Sequence, residues 1–152
     1  MSAIRLIALA VFGALLFAPP SFADKIIPRA GFAFAPLPTD EPVRKGMHAI
    51  RDVVTTNHSL VTHRRMPPDH AMRFAAQVKV EADRILSTTT LTGDALEKLR
   101  LLLQEIVTGL GAVAKPSGDV TANDGLAQAD AALARYPQEF DDPNWKPLQA
   151  LE

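Results

Sequence analysis

The sequence predicts an all-α protein, an antiparallel up-down-up-down four-helix bundle preceded by an extended proline-rich arm. Three observations lead to this prediction. Apolar residues recur at helical spacing in four successive segments, short turns separate these segments, and none of them alternates apolar and polar residues as a strand does. Apolar residues make up 47% of the chain and aromatic residues only 6%. The core is therefore expected to be aliphatic, as in a helical bundle.

Residues 1–23 have the layout of a secretory signal peptide. Arg5 precedes an apolar run from Leu6 to Ala18, and small residues surround the cleavage point expected after Ala23. The run is shorter than the ~20 residues that a membrane-spanning helix needs, which favours cleavage over an uncleaved anchor. The mature protein is expected to be periplasmic or secreted, with no membrane attachment.

Residues 24–41 are predicted to form the extended arm. Pro28, Pro36 and Pro38 lack the amide donor that a helix needs, and each biases its predecessor towards extended conformations. The segment is also rich in apolar residues, which leaves two arrangements open. It packs along a groove between helices, or it is a flexible tether or a partner-binding segment.

The bundle is assigned to residues 42–140. Its first helix is expected to begin near Pro42, and its second helix is expected to run from His70 to Leu86. Proline is tolerated in a first helical turn because that amide is unpaired anyway. Asn57 falls among the apolar residues of the first helix, where it is expected to fix the helix register or to bond a neighbouring helix. The apolar faces of the two helices are Met47, Ile50, Val53, Val54, Leu60, Val61 and then Ala71, Phe74, Ala75, Val78, Ala82, Ile85, Leu86.

The third helix is expected from Asp94 to Ala114, and Asp94 with Glu97 predicts a capping box at its start. Its apolar residues form a stripe that other residues widen, so this helix should be covered from more than one side. Gly109 and Gly111 lie inside the helix, where they either admit a close neighbour or let its last turn fray. The stripe is Leu96, Leu99, Leu103, Ile106, Leu110 and Val113, widened by Leu102, Val107 and Ala114.

The fourth helix is expected from about Asp119 or Val120 towards Phe140, and residues 141–152 are assigned to a C-terminal tail. Pro137 is expected to kink or end this helix. Phe140 and Trp145 are expected to cap an open end of the bundle. The apolar stripe of the helix is Ala122, Leu126, Ala129, Leu133, Tyr136 and Phe140.

Composition excludes several functions. Sixteen basic and 17 acidic residues give a formal net charge of −1, which argues against a surface for nucleic acid or anionic membranes. Cysteine is absent, which excludes disulfides, thiolate metal sites, covalently attached c-type haem and a cysteine nucleophile. The G-x-S-x-G motif of hydrolases and the E-x-x-H motif of di-iron bundles are missing as well. Neither an enzyme nor a resident cofactor is therefore predicted.

Isolated polar and apolar residues give weaker indications of a functional site. At helical spacing His48 and His63 point away from the apolar stripe of the first helix, and His58 lies at its edge. Around the first turn, His63, Met66 and His70 offer imidazole and thioether groups that suit copper, or they are ordinary surface residues. Glu81 and Asp130 flank apolar stripes and could meet inside the bundle, but carboxylates in such positions are usually solvated or paired with Lys or Arg. Val80 and Leu101 are apolar residues on polar helix faces. The arm is expected to pack over them, and the alternative is a partner surface that they form with the phenylalanines of the arm.

The C-terminal sequence from Tyr136 to Leu148, YPQEFDDPNWKPL, resembles the F-D-H-P-G-W-x-P-L ending of small exported proteobacterial proteins called DnrO-like. The run Gly46–Arg51 is similar to the first helix of that group. The resemblance implies a haem-free relative of the cytochrome c′ and b562 four-helix bundles. Asp142 stands where the group has His and Asn144 where it has Gly, so no metal role is carried over.

The leading hypothesis is a non-enzymatic periplasmic binding or accessory protein. Its partner, a protein or a small ligand, is not identified, and a homodimer is left open. The alternative hypothesis is copper handling by His63, Met66 and His70.

Overall fold

A computed structural model describes residues 35–148 and contains four helices in this part of the chain. The predicted signal peptide, most of the predicted arm and the last four residues of the tail lie outside the described residues. None of the described helices combines the length and the hydropathy needed to cross a bilayer. The helices are α1 Glu41–Thr62, α2 Pro68–Thr88, α3 Gly93–Ala114 and α4 Ala122–Glu139.

The four helices form the predicted antiparallel bundle. Each helix packs against the next one along the chain, and α1 also packs against α4, which closes the bundle. As predicted, α3 is covered on two sides, by α2 and by α4, and five of its six stripe residues are buried while Leu96 is half-buried. Leu86 departs from the prediction because it lies at the exposed border of its helix. The core is aliphatic around Phe74, Tyr136 and Phe140.

The helix ends differ from prediction in two places. The predicted capping box of α3 is wrong: Thr92 is the N-cap residue, its side chain caps nothing, and Asp94 lies inside the first turn after Gly93. A capping box is found instead on α4, where Thr121 and Asp124 bond reciprocally. Asp94 still faces the positive end of the helix dipole, which favours an acidic residue in a first turn.

Pro137 does not end α4, which continues to Glu139. Proline removes one intrahelical hydrogen bond, but so close to the helix end the remaining bonds still form. The Phe140 N–H donates to the Tyr136 carbonyl at 2.9 Å, and the Gln138 side chain donates to the Ala134 carbonyl at 3.3 Å. The helix therefore ends two residues after the proline.

The described end of the arm, residues 35–40, is non-helical and runs beside the start of the tail. The Leu37 N–H donates to the Glu139 carbonyl and the Asp141 N–H donates to the Leu37 carbonyl, both at 2.8 Å. Leu37 also packs against the core. This segment of the arm is therefore docked, and it brings the start of α1 to the end of α4.

Asp40 ties this end of the bundle to the turn between α2 and α3. Its Oδ1 accepts from the Val43 N–H at 3.0 Å, which caps α1. Its Oδ2 accepts from the Thr89 hydroxyl at 2.8 Å and from the N–H and hydroxyl of Thr90 at 2.6 and 3.0 Å. Burial by itself raises the pKa of Asp40, but these hydrogen bonds together outweigh it, so the pKa lies below its ordinary value.

Replacing Asp40 with alanine is expected to lower the free energy of unfolding by about 2 kcal/mol at pH 7, since the N-cap and the bonds to the turn are both lost. A carboxylate with a lowered folded pKa stabilises the fold above its unfolded pKa, and this contribution disappears as the pH falls through the folded pKa. The difference between wild type and Asp40→Ala should therefore shrink below about pH 4. Urea unfolding at pH 7 and pH 3 measures it.

Asp40→Asn is the matched variant for this measurement. Asparagine can still cap α1 through its Oδ1, but its amide nitrogen cannot accept from Thr89 and Thr90. An intermediate loss is expected. A loss at pH 3 as large as at pH 7 would contradict the role of the ionised carboxylate.

Candidate functional site

The end of the bundle that holds the arm and the tail is closed by a buried carboxylate. After α4 the chain turns back and buries the Asp142 side chain completely. The His48 Nε2–H and the Tyr136 hydroxyl donate to its Oδ2 at 3.0 and 3.2 Å, and the Asn144 N–H donates to its Oδ1 at 3.2 Å. These four residues are called the tail network below. The network joins α1, α4 and the tail through one carboxylate.

Trp145 covers the tail network. Its ring centroid lies 4.6 Å from that of Tyr136 and 5.5 Å from that of His48, and the Arg51 guanidinium carbon lies 5.3 Å from the Trp145 centroid. Phe140 is buried in the core and stacks on Tyr136. Phe140 and Trp145 therefore close this end, as predicted from the sequence.

The chemistry of the tail network is that of a structural link. Burial, assisted by the negative charge of Asp142, raises the pKa of Tyr136 far above its ordinary value, so the phenol remains a hydrogen-bond donor. The carboxylate accepts from the Nε2–H of His48 and so fixes the orientation of the ring. His48 lies off the apolar stripe as predicted, yet the tail covers it and leaves its side chain 29% exposed.

A second imidazole–carboxylate pair joins α1 to α4. The His58 Nε2–H donates to Asp130 Oδ2 at 3.0 Å. His58 Nδ1 and Asp130 Oδ1 are buried and have no hydrogen-bond partner among the described residues. Burial raises the pKa of Asp130, against the opposing effect of His58. Glu81 and Asp130 have separate partners: Arg84 bonds Glu81 at 2.6 Å, the kind of pairing expected for a flanking carboxylate, whereas Asp130 bonds His58.

The residues considered for copper have other contacts at the turn between α1 and α2. The His63 Nδ1–H donates to the Ser59 carbonyl at 2.9 Å, and the His70 Nε2–H donates to Asn57 Oδ1 at 2.8 Å. Met66 lines an apolar cavity. In the described part of the chain, no three His, Cys, Asp or Glu side chains are grouped so that they could hold one metal ion. Copper binding stays a prediction, and it would have to use the remaining ring nitrogens.

Asn57 bonds the neighbouring helix, as predicted. It is buried, its Nδ2 donates to the Val53 carbonyl at 2.8 Å within α1, and its Oδ1 accepts from His70 on α2. Both polar groups of the side chain are therefore used. A helix shift that broke the bond to His70 would leave a buried acceptor unpaired, which costs ~1–3 kcal/mol.

The opposite end of the bundle contains a cavity of about 290 Å³. There α1 and α3 end while α2 and α4 begin. This volume lies near the lower limit for small-molecule sites, which range over roughly 300–1,000 Å³. Apolar side chains and one arginine line it: Leu60, Val61, Arg64, Met66, Pro68, Ala71, Val113, Ala114, Pro116 and Ala122.

Arg64 is the one charged residue of the cavity lining. Its N–H donates to the Val61 carbonyl at 2.9 Å, and the next N–H, of Arg65, donates to the Leu60 carbonyl at 2.8 Å. This is the Schellman motif that ends α1, and its left-handed position is usually glycine. Arg64 has φ 55° there, the one positive φ of a non-glycine residue among residues 35–148. Strain of this kind costs ~1–3 kcal/mol and clusters at functional sites.

Val80 and Leu101 are exposed, at 67% and 60%. The sequence predicts that the arm covers them or that they form a partner surface. The described end of the arm lies beside Phe140, and residues 24–34 lie outside the described residues. Both interpretations of Val80 and Leu101 therefore stay predictions.

Sequence reasoning missed three features of these sites. In the sequence Asp142 stands out only as a departure from a family pattern, His58 and Asp130 are not predicted to pair, and Arg64 is not singled out. No local signal singles out Arg64: it lies three residues after Val61, the last apolar residue of α1, and a helix can also end without a left-handed residue, as α2 does at Thr89. For the other two, the pairing depends on how the tail and α4 lie against α1.

Comparisons of the chain with protein-family models, with curated proteins and with solved structures gave no match. The interpretation of the two ends of the bundle therefore depends on their own geometry and chemistry.

Proposed function

We propose that this protein is an exported, non-enzymatic binding protein that holds a small, largely apolar ligand. The ligand lies in the cavity at the end of the bundle opposite the tail, which is called the open end below. The observation that carries the proposal is the cavity itself. Four helix ends surround about 290 Å³ at one end, while the tail and its buried carboxylate close the other end. Small-molecule sites commonly lie between the helices of bundles.

The residues that line the cavity favour binding of a ligand over catalysis of its reaction. Nine of its ten side chains are aliphatic, thioether or proline groups, and the tenth is a guanidinium. None of these groups is a nucleophile or transfers protons at neutral pH. The imidazole–carboxylate pairs lie on other parts of the bundle, where they join α1 to the tail and to α4.

Binding of octan-1-ol to the mature protein, residues 24–152 purified from the periplasm, tests the proposal. Two-dimensional NMR is expected to show shifts confined to the open end, including the amides of Val61, Ala71 and Val113. Ala114→Phe should abolish them by filling the cavity from a half-buried position, whereas Ala127→Phe on the exposed face of α4 should leave them unchanged. Circular dichroism checks that both variants fold.

Two outcomes would contradict the proposal. One is the absence of shifts at millimolar octanol, and the other is unchanged binding by a folded Ala114→Phe variant. Metal analysis of the same preparation examines the alternative hypothesis, since stoichiometric copper would favour metal handling. An intact mass that matches residues 24–152 is the result expected for the predicted cleavage.

A further inference from the structure

Among residues 35–148, the charge at the cavity has no partner. Arg64 is exposed, and within the described residues its guanidinium makes no hydrogen bond and no salt bridge. Other arginines of the bundle are paired with acids, as Arg84 is with Glu81 and Arg135 with Glu105. The lining that Arg64 shares with nine other residues contains no acidic side chain.

The backbone at Arg64 is also unfavourable for an arginine side chain. The Schellman motif places residue 64 at φ 55°, where a Cβ adds steric cost. Glycine would end α1 with less strain. The arginine therefore costs stability at this position, and its side chain stands at the opening of an apolar cavity.

We propose that the ligand of this cavity is an amphiphilic monocarboxylate, with its apolar body among the aliphatic side chains and its carboxylate on the Arg64 guanidinium. The inference rests on the proposed binding function and names the class of ligand. A guanidinium presents parallel N–H donors that match the two oxygens of a carboxylate. The small volume and the single cation fit one anionic head with a short aliphatic chain.

Three probes of equal chain length test the inference by NMR titration: octanoate, octan-1-ol and octylamine. In the wild-type protein octanoate is expected to bind about tenfold more tightly than octan-1-ol, because a charge-assisted pair adds to the same apolar contact. Octylamine should bind more weakly than octan-1-ol. Arg64→Gly should remove the preference for octanoate, Arg64→Lys should keep part of it, and Arg65→Gln, the neighbouring control, should keep all of it.

Stability separates loss of binding from loss of folding. Arg64→Gly relieves the left-handed strain, so its melting temperature should rise while its octanoate affinity falls. Equal affinities for octanoate and octan-1-ol, or an equal loss of preference in Arg64→Gly and Arg65→Gln, would overturn the inference and leave the binding function standing. Failure of all three probes to bind would overturn the proposed function and this inference with it.

Discussion

Replacing Asp142 with alanine is expected to lower the free energy of unfolding by about 3 kcal/mol, because three hydrogen bonds to a buried carboxylate are lost together. The Tyr136 hydroxyl is then left buried without its acceptor, since Tyr136 is fully inaccessible to solvent. The bond that holds His48 of α1 to the tail is lost as well. Removal of this one side chain therefore breaks the hydrogen bonds that hold the tail to α1 and to α4.

The measurement is urea unfolding, with Trp145 emission as a local reporter. Trp145 is the only tryptophan in the sequence, and it packs on Tyr136 and His48, so release of the tail should shift its emission to the red before the helices unfold. Asp141→Ala is the matched control, because the Asp141 side chain is exposed and makes no hydrogen bond among the described residues. A loss below about 0.5 kcal/mol for Asp142→Ala, as for an ordinary surface change, would show that the tail network does not hold the tail.

The helices were predictable because their apolar periodicity is a local property of the sequence. Leu99, Leu103, Ile106, Leu110 and Val113 recur at the spacing of one helix face, and all five are buried. The starts predicted at Pro42 and His70 lie within two residues of the observed ones, Glu41 and Pro68. Such signals depend only on the backbone and on nearest neighbours along the chain, so they can be read without tertiary structure.

The sites depend on contacts between residues that are distant in sequence, and most of these contacts were not predicted. His48 and Asp142 are 94 residues apart, and His58 and Asp130 are 72 apart. Periodicity places each residue on a helix face but does not say which side chain of another element meets it. Asn57 was the exception, because an asparagine among apolar residues needs a partner wherever the neighbouring helix lies.

The two variants Gly109→Ala and Gly111→Ala are expected to have opposite effects on the stability of the protein. A Cβ on Gly109 would lie 2.5 Å from the carbonyl oxygen of Gly125 and 3.0 Å from the backbone nitrogen of Ala129, so the backbones of α3 and α4 would have to separate. Overpacking of this kind costs ~1–3 kcal/mol, which outweighs the gain in helix propensity. A Cβ on Gly111 meets no atom within 4 Å, and alanine there should stabilise the helix by up to ~1 kcal/mol.

The close approach of α3 and α4 also sets the width of the open end, since Val113 and Ala114 line the cavity one turn beyond Gly109. Gly109→Ala should therefore lower the free energy of unfolding by about 2 kcal/mol and weaken octanoate binding, whereas Gly111→Ala should raise stability and leave binding unchanged. Urea unfolding and the NMR titration measure the two effects on the same samples. If both variants proved equally stable, the glycine contact between α3 and α4 would not be a constraint on the bundle. If Gly109→Ala lost stability but bound octanoate as the wild type does, the cavity would not depend on that contact.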